Sequence, residues 1–119
     1  MKNYELLFIV KPTLTEEEIK SVNETVKGYL TKEEANIAAI DDMGMKNLAY
    51  EIKKHKRGHY FVIYFTVATG AIKEITRLLR FNEEILKFMI IKYENKSDIA
   101  NWERLVADVN KNNTNQETK

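Results

Sequence analysis

Apolar and polar positions alternate from Tyr4 to Val10. Tyr4, Leu6, Phe8 and Val10 share one side; Glu5, Leu7, Ile9 and Lys11 share the other. Both sides are partly apolar, which predicts a central strand, and Pro12 ends it because it cannot donate to a ladder. The period then changes. Ile19, Val22, Val26, Tyr29 and Leu30 recur close to helical spacing, behind a capping-box pattern at Thr15 and Glu18. This helix is expected to end near Leu30. Ile37 to Met45 predicts a second strand that continues through Leu48 to Ile52, with a bulge or bend at Asp41, Asp42 and Gly44. Lys53 to Gly58 predicts a basic turn. Tyr60 to Val67 predicts a third strand, with Phe61, Ile63, Phe65 and Val67 on one side and Tyr60, Val62, Tyr64 and Thr66 on the other. After the break at Thr69-Gly70, Ile72, Ile75, Leu78 and Leu79 predict a second helix. Ile85 to Tyr93 predicts a fourth strand.

The order β-α-β-β-α-β is that of a ferredoxin-like α+β fold. Right-handed crossovers place both helices on one face of a four-stranded antiparallel sheet. The first and third strands are expected in the middle. The other face is left without helices and carries Tyr60, Val62 and Tyr64, or their neighbours of opposite parity. A further apolar stripe follows at Ile99, Trp102, Leu105, Val106 and Val109. It predicts a third helix, capped by Ser97 or Asp98, that packs on its own domain or on a partner. The expected division is a ferredoxin-like domain at 1–95, a C-terminal helical extension at 96–110 and a flexible tail at 111–119.

Composition fits one globular domain: 119 residues, 44% hydrophobic and 31% charged. The absence of cysteine excludes disulfides and thiolate metal sites. The first apolar run is too short for a signal peptide, and no run approaches the ~20 residues of a membrane span. These features predict a cytoplasmic protein with no membrane partner. Charge adds more. The whole chain carries +1, yet five cations (Lys46, Lys53, Lys54, Lys56 and Arg57) stand against one acid, Glu51, between positions 46 and 57. A local cationic turn on a nearly neutral chain points to a docked anionic partner rather than general polyanion binding.

No constellation for catalysis is present, so no enzyme activity, small-molecule substrate or cofactor is expected. Gly28, Gly44, Gly58 and Gly70 are dispersed, form no phosphate loop and read as punctuation. His55 and His59 lack a third ligand, so no metal site is expected. Asp41 and Asp42 are adjacent on a strand and point to opposite faces. Acylphosphatase-type enzymes share the topology but bind phosphate with an Arg after the first strand; Lys11-Pro12-Thr13-Leu14 has none. RNA binding fits better, through Lys2, Lys46, Lys53, Lys54, Lys56, Arg57 and Arg80, with Lys87 and Lys92 as further cations. One form of it is a single-strand RNA-recognition module. Arg57-Gly58-His59-Tyr60-Phe61-Val62-Ile63-Tyr64 matches part of that module's third-strand motif, and Phe8 and Phe61 would stack on bases.

Longer motifs carry a closer resemblance. Met1-Lys2-x-Tyr4-Glu5 with Pro12, Gly44-x-x-x-Leu48-Ala49-Tyr50-x-Ile52-x-Lys54, His59-Tyr60, and Leu79-Arg80-Phe81-Asn82-Glu83-x-Ile85-Leu86-Lys87-x-Met89 occur in that order. Over residues 1 to about 95 the chain resembles the bacterial small-subunit ribosomal protein S-six family. It departs at Glu51, where the family usually has Pro, at Met43, commonly aromatic, and at Lys46-Asn47, commonly a basic pair. The resemblance implies a structural constituent of the small ribosomal subunit. It would bind the central domain of small-subunit ribosomal RNA together with ribosomal protein S-eighteen. The RNA contacts it implies are the basic hairpin, Lys2, Lys46 and Arg80. Strand edges and the helix-free sheet face would serve the protein partner.

Overall fold

The computed structural model describes residues 1–117. In chain order the elements are β1 (Lys2–Val10), α1 (Glu16–Lys32), β2 (Asn36–Ile52), β3 (His55–Val67), a 3-10 turn (Thr69–Ala71), α2 (Ile72–Phe81), β4 (Ile85–Tyr93) and α3 (Lys96–Glu117). The strands lie side by side as β2-β3-β1-β4, every pair antiparallel. This is the expected ferredoxin-like sheet, with the two strands that are apolar on both sides in its centre.

Parity assigns the faces. Leu6, Phe8, Phe61, Ile63 and Phe65 meet Val22, Val26 and Leu30 of α1 and Ile75 and Leu79 of α2 in the main core. Register places Phe8 opposite Phe61 and Tyr4 opposite Phe65. Their rings stack with centroids 5.1 and 5.5 Å apart. α1 starts where the capping box predicts. Thr15 Oγ1 accepts from Glu18 N at 3.2 Å, and Glu18 Oε1 accepts from Thr15 N at 2.9 Å. Hydrogen bonding from the Thr15 backbone N–H, and next from the Thr15 side chain, holds the Glu18 carboxyl below the usual carboxylate range.

The opposite face carries Leu7, Val62, Tyr64 and Tyr93, and α3 lies across it. Trp102 is buried there, edge-on to Tyr64 at 6.4 Å, and its Nε1 donates to the Tyr4 carbonyl at 2.9 Å. The third helix therefore packs on its own domain. Its cap is Asn95, whose Oδ1 accepts from Asp98 N at 2.8 Å. The expected caps, Ser97 and Asp98, lie inside the first turn, because the Asn95 side chain reaches the amide three residues on. The helix also runs past the expected end near 110. Asn110 Nδ2 donates to Ala38 O at 3.2 Å and Asn113 Nδ2 to Ile40 O at 3.0 Å, so the added turns dock on β2. Of the tail expected at 111–119, residues 118–119 lie outside the described residues.

The expected bend in β2 is a bulge at Met43. Gly44 takes a φ of +78° there and donates its N–H to Asp42 Oδ1 at 3.0 Å. The turn between β2 and β3 is tighter than the sequence predicts. It consists of Lys53 and Lys54, with φ of +49° and +70°, so Lys56, Arg57 and Gly58 belong to β3. Two consecutive left-handed residues match the twist of a hairpin, and that geometry shortens the turn. Gly58 is accordingly not a punctuation glycine. It is buried, and a Cβ on it would lie 2.3 Å from Ile9 Cγ2.

Candidate nucleic-acid interface

The β2–β3 hairpin reaches past the end of β1. Val10, the last residue of β1, pairs with His59. Beyond that point only the hairpin continues, with Lys46 opposite Gly58, Asn47 opposite Arg57 and Ile52 opposite His55. Lys46, Lys53, Lys54, Lys56 and Arg57 are all exposed. None of them is in an ion pair among the described residues. Five cations on one two-stranded projection repel one another and raise the local potential, which an anion relieves. The turn itself carries a backbone cost, since Lys is disfavoured in the left-handed region that Asn-Gly would occupy more easily.

Arg80 is exposed in the last turn of α2, at the same end of the sheet. The segment after it leads into Ile85, which pairs with Val10, and Lys11 N donates to Glu84 O at 3.0 Å. Lys2 is not brought to this end. It pairs with Val67, eight residues along β1 from the Val10–His59 pair. That separation is about 26 Å at strand rise.

Two aromatics that sequence reasoning did not place in the site stand beside these cations. Tyr50 is 61% exposed, and Lys87 Nζ donates to its hydroxyl at 2.8 Å and lies 5.1 Å from its ring centroid. Phe81 is 73% exposed next to Arg80, with the Arg77 guanidinium 5.8 Å from its ring centroid. Arg77 is also forked to Glu74, which holds the Glu74 carboxyl low and the guanidinium high. The signal for Phe81 was available as a large aromatic in the last position of an otherwise cationic helix end. Tyr50 carried no such signal beyond its motif.

The structure overturns the stacking role of Phe8 and Phe61. They are 0% and 3% exposed, stacked on each other beneath α1 and α2. Odd-numbered β3 residues face the helices, so the side chains that the motif match would offer to bases lie in the core here, while the opposite sheet face is covered by α3. His59 is likewise engaged: its Nε2 lies 2.5 Å from Asp42 Oδ1, and its ring stacks on Phe61 with centroids 4.6 Å apart. Among the described residues no three His, Asp or Glu side chains are grouped to hold a metal ion.

Comparison with known proteins adds relatives along most of the chain. A family model described as ribosomal protein S6 matches residues 3–92, a span that stops before α3. The small ribosomal subunit protein bS6 of Campylobacter lari is 53% identical over 112 residues, covering 94% of this chain and 90% of its own length. The protein of the same name from Helicobacter pylori is 53% identical over 111 residues, covering 93% of this chain and 78% of its own. The crystal structure of 30S ribosomal protein S6 from Thermotoga maritima superposes with a TM-score of 0.77 at 32% identity, covering 89% of this chain and 97% of that one.

Proposed function

The chain belongs to the ribosomal protein S6 family, structural and non-enzymatic constituents of the small ribosomal subunit, and on that premise we propose that it binds the central domain of small-subunit ribosomal RNA together with ribosomal protein S-eighteen. The observation that carries this reading is the β2–β3 projection, where Lys46, Lys53, Lys54, Lys56 and Arg57 are exposed without an ion-pair partner among the described residues. Ammonium and guanidinium groups release counterions from RNA when they meet phosphates. Arg80 joins them from the same end of the sheet. Tyr50 and Phe81 supply exposed aromatic faces that stack on unpaired bases. Lys2 makes a separate contact, too distant to share their phosphates. The place of action is the ribosome in the cytoplasm.

A net charge of +1 limits how much phosphate the chain neutralises alone. A basic partner that supplies further contacts makes assembly cooperative. The test is binding of a central-domain RNA junction with and without S-eighteen. The reading expects weak binding alone and much tighter binding with the partner. Equal affinity in the two cases contradicts cooperative binding.

A further inference from the structure

The sheet has two outer strands, β2 and β4, and the chain treats them differently. Part of β2 is closed by α3, whose Asn110 and Asn113 amides donate to the Ala38 and Ile40 carbonyls. Register shifts at Ala38 and Met43 also break its repeat, which spoils it as a template for another strand. The β4 strand pairs with β1 alone. Along the outer side of Lys87 to Lys92, alternate N–H and C=O groups meet no protein partner among the described residues. Lysines on an outer strand normally discourage pairing. Here both are drawn aside: Lys87 Nζ lies against the Tyr50 ring and hydroxyl, and Lys92 Nζ is 3.2 Å from Glu94.

A groove of about 640 Å³ runs beside this strand, between β4 and α2, with Tyr4, Ile72, Thr76, Phe88, Met89 and Ile90 among its walls. Phe88, Met89 and Ile90 are consecutive and alternate between the faces of the sheet, so a groove that touches all three lies against the open side of the strand. On the face away from α2, Met89 and Ile91 stay 44% and 40% exposed. Lys73 and Lys92 line the groove and no acid does. Lys73 is exposed and makes no ion pair among the described residues. From this we infer that β4 is a docking edge for an extended peptide segment of another protein, apolar at alternate positions and acidic at the end that meets Lys73 and Lys92. The added strand takes its hydrogen bonds from the open backbone of β4 and lays every second side chain in the groove, the division of labour by which strand addition gains affinity and specificity. RNA has no backbone row of N–H and C=O groups to match an open strand. A second copy joined through its own β4 brings two lysines and no acid, so it leaves Lys73 unmatched. The inference goes beyond the ribosomal reading and does not depend on it.

The full chain, isotope-labelled, is titrated with the blocked peptide acetyl-Val-Thr-Val-Thr-Val-Thr-Asp-amide and followed by NMR. The expected result is saturable amide shifts along β4 and the facing side of α2, with slowed hydrogen exchange at alternate β4 amides. Two further peptides carry backbone N-methyl groups, one on every threonine and one on the remaining residues, so the protein itself is unaltered. One of them turns its methyl groups toward β4 and is expected to bind about tenfold more weakly or worse, since several hydrogen bonds are lost together; the other is expected to bind like the parent. Lys73→Glu, a surface change, is expected to weaken the acidic peptide about threefold. Four results would each overturn the assignment: both N-methylated peptides binding like the parent, Lys73→Glu binding it undiminished, displacement of the peptide by an oligouridylate of similar length, or sedimentation of the free chain as a dimer that the peptide dissociates. The titration contains neither ribosomal RNA nor S-eighteen, so its failure is separable from failure of the ribosomal reading.

Discussion

Gly58 lies so close to Ile9 that a Cβ added to the glycine would sit 2.3 Å from Ile9 Cγ2. The contact fixes how the basic hairpin leaves the sheet. Ile9 is buried at the end of β1, and Gly58 is the β3 residue paired with Lys46. Gly58→Ala is expected to cost about 1–3 kcal/mol through overpacking. Urea unfolding measures this loss. Adding Ile9→Ala removes the clashing methyl, so the double variant is expected to lose less than the sum of the two single changes.

Lys53 and Lys54 occupy left-handed backbone positions that Asn-Gly fills at lower cost. Lys53→Asn with Lys54→Gly is expected to raise stability by about 1 kcal/mol or more. The same change removes two cations from the RNA contact. RNA affinity is expected to fall, and the salt slope to become shallower by about one to two, as two phosphate contacts are lost. Paired denaturation and filter-binding measurements expose the trade; a gain in stability with no loss of RNA affinity would show that the turn lysines touch no phosphate.

Trp102 ties α3 to the sheet through a buried ring and an indole hydrogen bond to the Tyr4 carbonyl. Trp102→Ala is expected to cost about 3–5 kcal/mol. Trp102→Phe retains much of the ring burial but leaves the Tyr4 carbonyl without its side-chain donor, so it separates the two contributions. Proteolysis at α3 reads the outcome locally: the alanine variant is expected to be cleaved there well before the main core opens.

Alkaline pH is expected to destabilise the fold. Burial, helped by the carboxylates of Glu5 and Asp41, pushes the Tyr64 phenol from 10 up to about 12. Burial and the hydrogen bond donated to Glu5 Oε1 at 2.7 Å push Tyr93 up as well. Below pH 10 both phenols are protonated in folded and unfolded chains. Between pH 10 and about 12 the unfolded chain loses its Tyr64 proton while the folded chain keeps it. The unfolded state then binds fewer protons, so stability falls as pH rises through that window. Urea midpoints across the range check the fall, and Tyr64→Phe is expected to flatten it.

Much of this fold was legible because the determinants were local. The alternation from Tyr4 to Val10 and the Thr15–Glu18 capping box each predict an element without reference to distant residues. What stayed hidden depended on contacts remote in sequence or on backbone angles that side chains do not announce. Gly58 read as a turn residue because its neighbour in space, Ile9, is far away in the chain. Lys53-Lys54 fell inside the predicted turn, but nothing marked the pair as its whole length because Lys seldom adopts positive φ. The stripe on α3 showed that the helix is amphipathic, while the choice between its own sheet face, carrying Val62 and Tyr64, and a partner came only from the packing. The candidate site divided in the same way. Its hairpin cations are neighbours in sequence and stay neighbours in space, whereas Lys2 is removed from them and Arg80 brought to their end by sheet register.

The central claim is that the hairpin cations meet RNA phosphates. Its most direct measurement is the salt dependence of RNA-junction binding by the native chain and by a variant with Lys53, Lys54, Lys56 and Arg57 all changed to Gln, each with S-eighteen present. The account predicts weaker binding and a slope shallower by about three to four, close to one unit per lost phosphate contact. A variant that keeps the native slope would contradict the placement of the hairpin on RNA.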